Sequence, residues 1–124
     1  MSLRNDLIIV RNPDYARTNT LQSIHLVSRH LQERFLVIDA DTVVEPASFN
    51  AFMVAASECT QLIGISRYTT SDGVRVLLDE TAACVTAFTR APEHAWEWTG
   101  IAVIDPAVVV DKPIYVYQAL EGSL

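Results

Sequence analysis

A chain of 124 residues has room for one domain and one core, and a domain of this size buries about two-thirds of its unfolded surface. Its residues are 50% hydrophobic and 19% charged, a composition that excludes a disordered chain. The net charge of −6 argues against a general nucleic-acid binder, which presents a basic face, yet allows a nucleotide whose phosphates arrive with their own metal.

Residues 6–12 contain the apolar run Leu7-Ile8-Ile9-Val10 and read as a buried strand. This run is too short for the core of a signal peptide, and no stretch of the sequence approaches a membrane span. Asn12-Pro13-Asp14-Tyr15 reads as a turn, because proline presets its dihedral and Asn and Asp bond their own backbone. From Thr18 or Asn19, both good N-caps, the period becomes helical. Leu21, Ile24, Val27 and Leu31 share a face, while His25, Arg29 and Gln32 point to water. His25 and His30 read as surface residues of this helix.

The chain is organised around the next stretch, Phe35-Leu36-Val37-Ile38-Asp39-Ala40-Asp41-Thr42-Val43-Val44-Glu45-Pro46. Its apolar run predicts a strand buried on both faces, as in a parallel sheet. Asp39 and Asp41 then fall beyond the strand's carboxyl end, where open α/β sheets bind ligands. Two neighbouring carboxylates repel each other, so a fold keeps them where something offsets that cost. Mg²⁺ does so, taking one or two carboxylates and leaving its other positions to phosphates and water. A solvated turn is the plainer alternative.

Pro46 suits the first turn of a second helix over residues 46–57, with Phe49, Phe52, Met53 and Ala56 facing inward. Residues 62–68 make a strand. Residues 74–78 and 85–89 flank an acidic turn and read as a hairpin with a longer loop. Residues 98–104 form a further strand, closed by Asp105-Pro106. The β-prone runs Val108-Val109-Val110 and Ile114-Tyr115-Val116-Tyr117 predict a last strand ending near Gln118. Cys59 and Cys84 lack metal or redox spacing and read as buried, reduced thiols of a cytoplasmic protein. The element order predicts an α/β fold: an incomplete, Rossmann-like three-layer α/β/α sheet with a β-hairpin extension, spanning residues 1–124 as one partial domain. The four glycines, Gly64, Gly73, Gly100 and Gly122, form no phosphate-binding loop.

The pattern Asn12-x-x-Tyr15-x-x-x-Asn19, a helix, and then Asp39-Ala40-Asp41 resembles bacterial nucleotidyltransferases of the nucleotide-diphospho-sugar transferase fold. Within them it is most similar to the phosphocholine cytidylyltransferases. The likeness runs on through the hairpin to Arg90-Ala91-Pro92, through Trp98-Thr99-Gly100-Ile101, and to Tyr115-Val116-Tyr117 with Leu120-Glu121-Gly122. The resemblance implies Mg²⁺-dependent transfer of a nucleotidyl group from a nucleoside triphosphate to a small phosphorylated acceptor, with release of pyrophosphate. It implies that Asp41 is the metal-binding catalytic carboxylate. Asp39 joins it on the strand-end argument, since many relatives have no acid there. Tyr15, Asn19 and Trp98 are the expected substrate contacts. Trp98 reads first as packing in the sheet, with a cage for a choline ammonium as the sharper possibility.

The family's N-terminal glycine-rich loop is missing, as are the later Asp expected just past Leu124 and a helix expected between Val110 and Lys112. The chain is therefore expected to be a fragment or remnant that binds metal and nucleotide weakly. Two other functions fit the residues: a metal-dependent glycosyltransferase built on Asp-x-Asp, and a non-catalytic module that forms a homodimer through an exposed sheet edge. Neither nucleic acid nor membrane is an expected partner.

Overall fold

A computed structural model describes residues 7–67 and 70–124. Along them run α1 (Thr20–Ser28), β1 (Phe35–Ile38), α2 (Pro46–Glu58), β2 (Leu62–Arg67), β3 (Arg75–Leu78), β4 (Val85–Thr89), β5 (Trp96–Ile104), a short 3₁₀ turn (Pro106–Val108) and α3 (Val116–Glu121). The expected end of β2 at Tyr68 and the expected strand start at Asp6 lie outside the described residues.

β5 is the spine of the sheet. β2 covers one of its edges, while β1 and the β3–β4 hairpin share the other, β1 beside residues 101–104 and β3 beside Trp96 and Glu97. Every observed pairing is antiparallel, which corrects the parallel sheet expected from the apolar run in β1. β1 and β2 do run in the same direction, but β5 lies between them. β1 is also only half-buried, with no partner beyond β5 among the described residues.

Side chains alternate across this sheet as pleating requires. Phe35, Val37, Ala102, Ile104, Trp96 and Trp98 face one layer, where Leu21 and Ile24 of α1 and Val116, Ala119 and Leu120 of α3 complete the main core. Leu36, Ile101 and Val103 face the other side, towards Phe49, Phe52, Met53 and Ala56 of α2. The result is an α/β arrangement of three helices and an antiparallel five-stranded sheet.

Sequence caps hold the helices. The Asn19 side chain accepts from the Leu21 amide at 3.0 Å, and the Gln22 side chain accepts from the Asn19 amide at 3.2 Å, a capping box. Glu45 caps α2 by accepting from the Ser48 amide at 2.8 Å, with Pro46 in its first turn.

Several expectations fail for identifiable reasons. Residues 7–10 are not a strand: Leu7, Ile8 and Ile9 are 71%, 83% and 83% exposed, because no strand among the described residues offers them a ladder. The final β-prone run is not a strand either. Tyr115 stands at the N-cap position of α3, its amide donating to the Gln118 side chain at 2.8 Å, and Val116, Ala119 and Leu120 turn onto one face at helical spacing and bury there. Both cysteines are exposed, Cys59 at the end of α2 and Cys84 at the hairpin loop. His25 is half-buried with its Nδ1 shielded from solvent, whereas its helix position had placed it towards water.

Candidate active site

The acidic turn continues the pleat of β1. Phe35 and Val37 face the main core, so Asp39, two residues on, emerges on the same face past the strand's end. Its amide donates to the Gly100 carbonyl at 3.1 Å, extending the β1–β5 ladder by one bond. The Thr42 amide donates to the Asp39 carbonyl at 3.0 Å and closes the turn. Burial raises the Asp39 carboxyl above its ordinary value, and the charge of Asp41 raises it further. Asp41 itself is exposed on the turn.

Asp39 lines a cavity of about 120 Å³ between the sheet, the start of α1 and the start of α3. Around it stand Asn19, Arg90, Trp98, Tyr115 and Tyr117. The rings are fixed against one another: Tyr115 stacks on Tyr117 with centroids 5.8 Å apart, and Phe88 meets Trp98 edge-on at 6.5 Å. The Arg90 guanidinium lies 5.7 Å from the Tyr115 ring and 5.8 Å from the Tyr117 ring. One of its nitrogens donates to the Asp72 carbonyl at 2.8 Å, which leaves several N–H donors of the fork for other acceptors. The cavity thus has a carboxylate, a guanidinium and an aromatic wall.

Of the residues named from the sequence, Asp39, Asn19 and Trp98 come together here, while Tyr15 is 72% exposed and lies outside the cavity. Asn19 is committed to the scaffold. Besides capping α1, its side chain donates to the Ile114 carbonyl at 2.8 Å and ties the entrance of α3 to the start of α1. Asn12 is scaffold as well: its side-chain nitrogen donates to Thr18 and Ser23 hydroxyls at 2.8 and 3.0 Å, and its oxygen accepts from the Asp14 amide at 3.0 Å. Trp98 both packs against the core and lines the cavity, and it donates its indole N–H to the Ile101 carbonyl at 3.1 Å.

Arg90, Tyr115 and Tyr117 are the cavity residues that sequence reasoning did not single out. Arg90 follows the hairpin at a turn of the chain, and the tyrosines fall in the β-prone run expected to form the last strand. A basic residue before Ala91-Pro92 was the available signal.

Among the described residues no three His, Cys, Asp or Glu side chains are grouped to hold a metal. Asp39 and Asp41 stand close enough for the charge of one to act on the other, and they are the carboxylates that would hold a Mg²⁺ ion whose shell phosphates and water complete. Among the described residues no helix is long and apolar enough to cross a membrane.

No family model matches the chain, and no curated protein matches it. A solved structure does match: an inositol-1-phosphate CTP transferase from T. maritima superposes with a TM-score of 0.68 at 16% identity. The match covers 84% of this chain and 46% of that one. The chain therefore shares the fold of that transferase over rather less than half of the transferase's length.

Proposed function

We propose that the chain carries the acidic rim of a nucleotidyltransferase, one that moves a nucleoside monophosphate, CMP by preference, from its triphosphate to a small phosphorylated acceptor. The observation that carries this reading is the placement of the acids. Asp39 leaves the end of β1 over the Gly100 backbone and lines a cavity, and Asp41 stands beside it on an exposed turn. A fold held in common with a CTP transferase supports the choice of chemistry.

In this reading Asp41 and Asp39 hold Mg²⁺, which neutralises polyphosphate charge when bound. Little covalent work falls to the protein. An acceptor phosphate oxygen bonds to the α-phosphorus, the bond from that phosphorus to the β-phosphate's bridging oxygen breaks, and pyrophosphate leaves. The side chains position the reactants and balance charge. Arg90 presents a planar fork suited to a phosphate. Trp98, Tyr115 and Tyr117 offer ring faces of the kind that hold quaternary ammonium groups, and the Asp39 carboxylate adds a negative wall. Phosphocholine, with one positive and one negative end, suits such a lining; a sugar phosphate would use Arg90 and leave the rings as packing.

Titration calorimetry with CTP and Mg²⁺ tests the reading. Binding by this chain is expected near millimolar, about 4 kcal/mol, and Asp41→Asn is expected to weaken it by about tenfold. Unchanged heats in Asp41→Asn would overturn the assignment.

A further inference from the structure

β5 is irregular where it passes the acidic turn. Ile63 pairs with Ala102 and Ile65 with Trp98, so Gly64 alone stands opposite Thr99, Gly100 and Ile101. Bulges of this kind redirect backbone beside functional sites. Here the bulge places two carbonyls against the turn: Gly100 accepts from the Asp39 amide at 3.1 Å, and Thr99 accepts from the Thr42 hydroxyl at 3.3 Å.

Two glycines make the arrangement possible. Gly100 sits at φ +78°, where a side chain is strained. A Cβ built there would come 2.5 Å from Asp39 Oδ2 and 3.0 Å from its Cγ, so the carboxylate occupies the space that glycine leaves open. On the opposite edge the Thr99 hydroxyl donates to the Gly64 carbonyl at 2.9 Å, and a Cβ on Gly64 would meet that hydroxyl at 2.7 Å. The Trp98 indole bond to the Ile101 carbonyl spans the bulge itself.

We propose that this bulge is a cradle for the acidic turn and that Gly100 is a positioning residue, setting the Asp39 carboxylate over β5 where it borders the cavity. The inference rests on the reading of Asp39 and Asp41 as the metal-holding acids, but the cradle can be tested without that chemistry. A side chain at position 100 acts in two separable ways. It strains the backbone whatever stands opposite, and it collides with one particular carboxylate. Only the second effect depends on Asp39.

A double-mutant cycle separates them. The unfolding constants of the wild type, Gly100→Ala, Asp39→Ala and the double variant are measured in urea. The cradle predicts that Gly100→Ala is about tenfold less damaging when Asp39 is already Ala, a coupling of about 1.4 kcal/mol. Additive effects would overturn it, because backbone strain alone would then explain the glycine. If Gly100→Ala does not fold, recovery of folding by the added Asp39→Ala supports the cradle, and failure in both backgrounds overturns it. In folded variants, Mn²⁺ affinity read by water-proton relaxation is expected to drop about tenfold for Gly100→Ala. Strong coupling in the cycle with no Mn²⁺ binding by the wild type would uphold the cradle and overturn the metal reading instead.

Discussion

The acids of this chain differ in what surrounds them. Asp79 opens the hairpin loop and accepts from the Ala83 amide at 2.9 Å, the Cys84 amide at 3.1 Å and the Thr81 hydroxyl at 2.8 Å. The bond from Cys84 and then that from Thr81 hold its carboxyl below the usual aspartate range. The ionised form is favoured on folding, so its contribution is present above the ordinary aspartate value. It is lost as pH falls through the lowered one. Asp79→Asn is expected to lower the melting temperature at pH 7, and calorimetry across pH should show the gap from wild type closing in that acid window. A gap that persists at low pH would place the effect elsewhere in the loop. Asp39 behaves in the opposite sense, since burial and Asp41 both disfavour its charge. A carboxyl raised by its surroundings at a cavity wall fits the ligand site proposed above, whereas one lowered by the bonds of its own loop acts as a turn device.

At the scale of elements, what could be read from the sequence followed local chemistry. The starts of α1 and α2 were marked because Asn19 bonds a nearby amide and Pro46 has a fixed φ that suits a first turn, whereas the Glu45 cap emerges only in the structure. β4 was legible to the residue, and β2, β3 and β5 within a residue or two, because dense β-branched runs end at Gly, Pro and Asp. What depended on distant partners was not legible. The run in β1 says apolar, but its pairing direction is decided by β5, more than sixty positions on. Residues 7–10 have strand composition without a ladder. α3 shows packing overriding propensity: Val116 and Tyr117 favour strands, yet the helix lets Val116, Ala119 and Leu120 fill the core together. It also places Glu121, which accepts from the Phe88 amide at 3.0 Å, on β4. Leu120 is 3% exposed, so Leu120→Ala is expected to cost about 2–5 kcal/mol in urea denaturation. A loss below about 1 kcal/mol would mean that α3 does not close this core.

For the whole molecule, the sheet joins what the sequence holds far apart. Asp39 at the end of β1, Arg90 after β4, Trp98 in β5 and the tyrosines flanking the start of α3 meet because β5 carries strands on both edges and α3 folds back over one face. The acids were legible as a strand-end pair. The guanidinium and the tyrosine wall were not, since no local spacing connects Arg90 to Tyr115 and Tyr117. A buried ion pair fastens the hairpin to this frame, Arg75 to Glu97 at 3.0 Å, with Thr70 donating its hydroxyl to Glu97 at 2.7 Å. Glu97 stands directly before the Trp98 wall and the bulge, so the hairpin and the site share one anchor. In the proposed function a divalent cation and a nucleotide meet at the rim formed by Asp39 and Asp41. Paramagnetic broadening of the amide spectrum by Mn²⁺ in the presence of CTP measures that position. The amides of Ala40, Thr42 and Gly100 and the Trp98 indole are expected to broaden first, and Asp41→Asn is expected to remove the effect. Broadening centred on the Asp79 loop or on Glu45, and unchanged in Asp41→Asn, would contradict it.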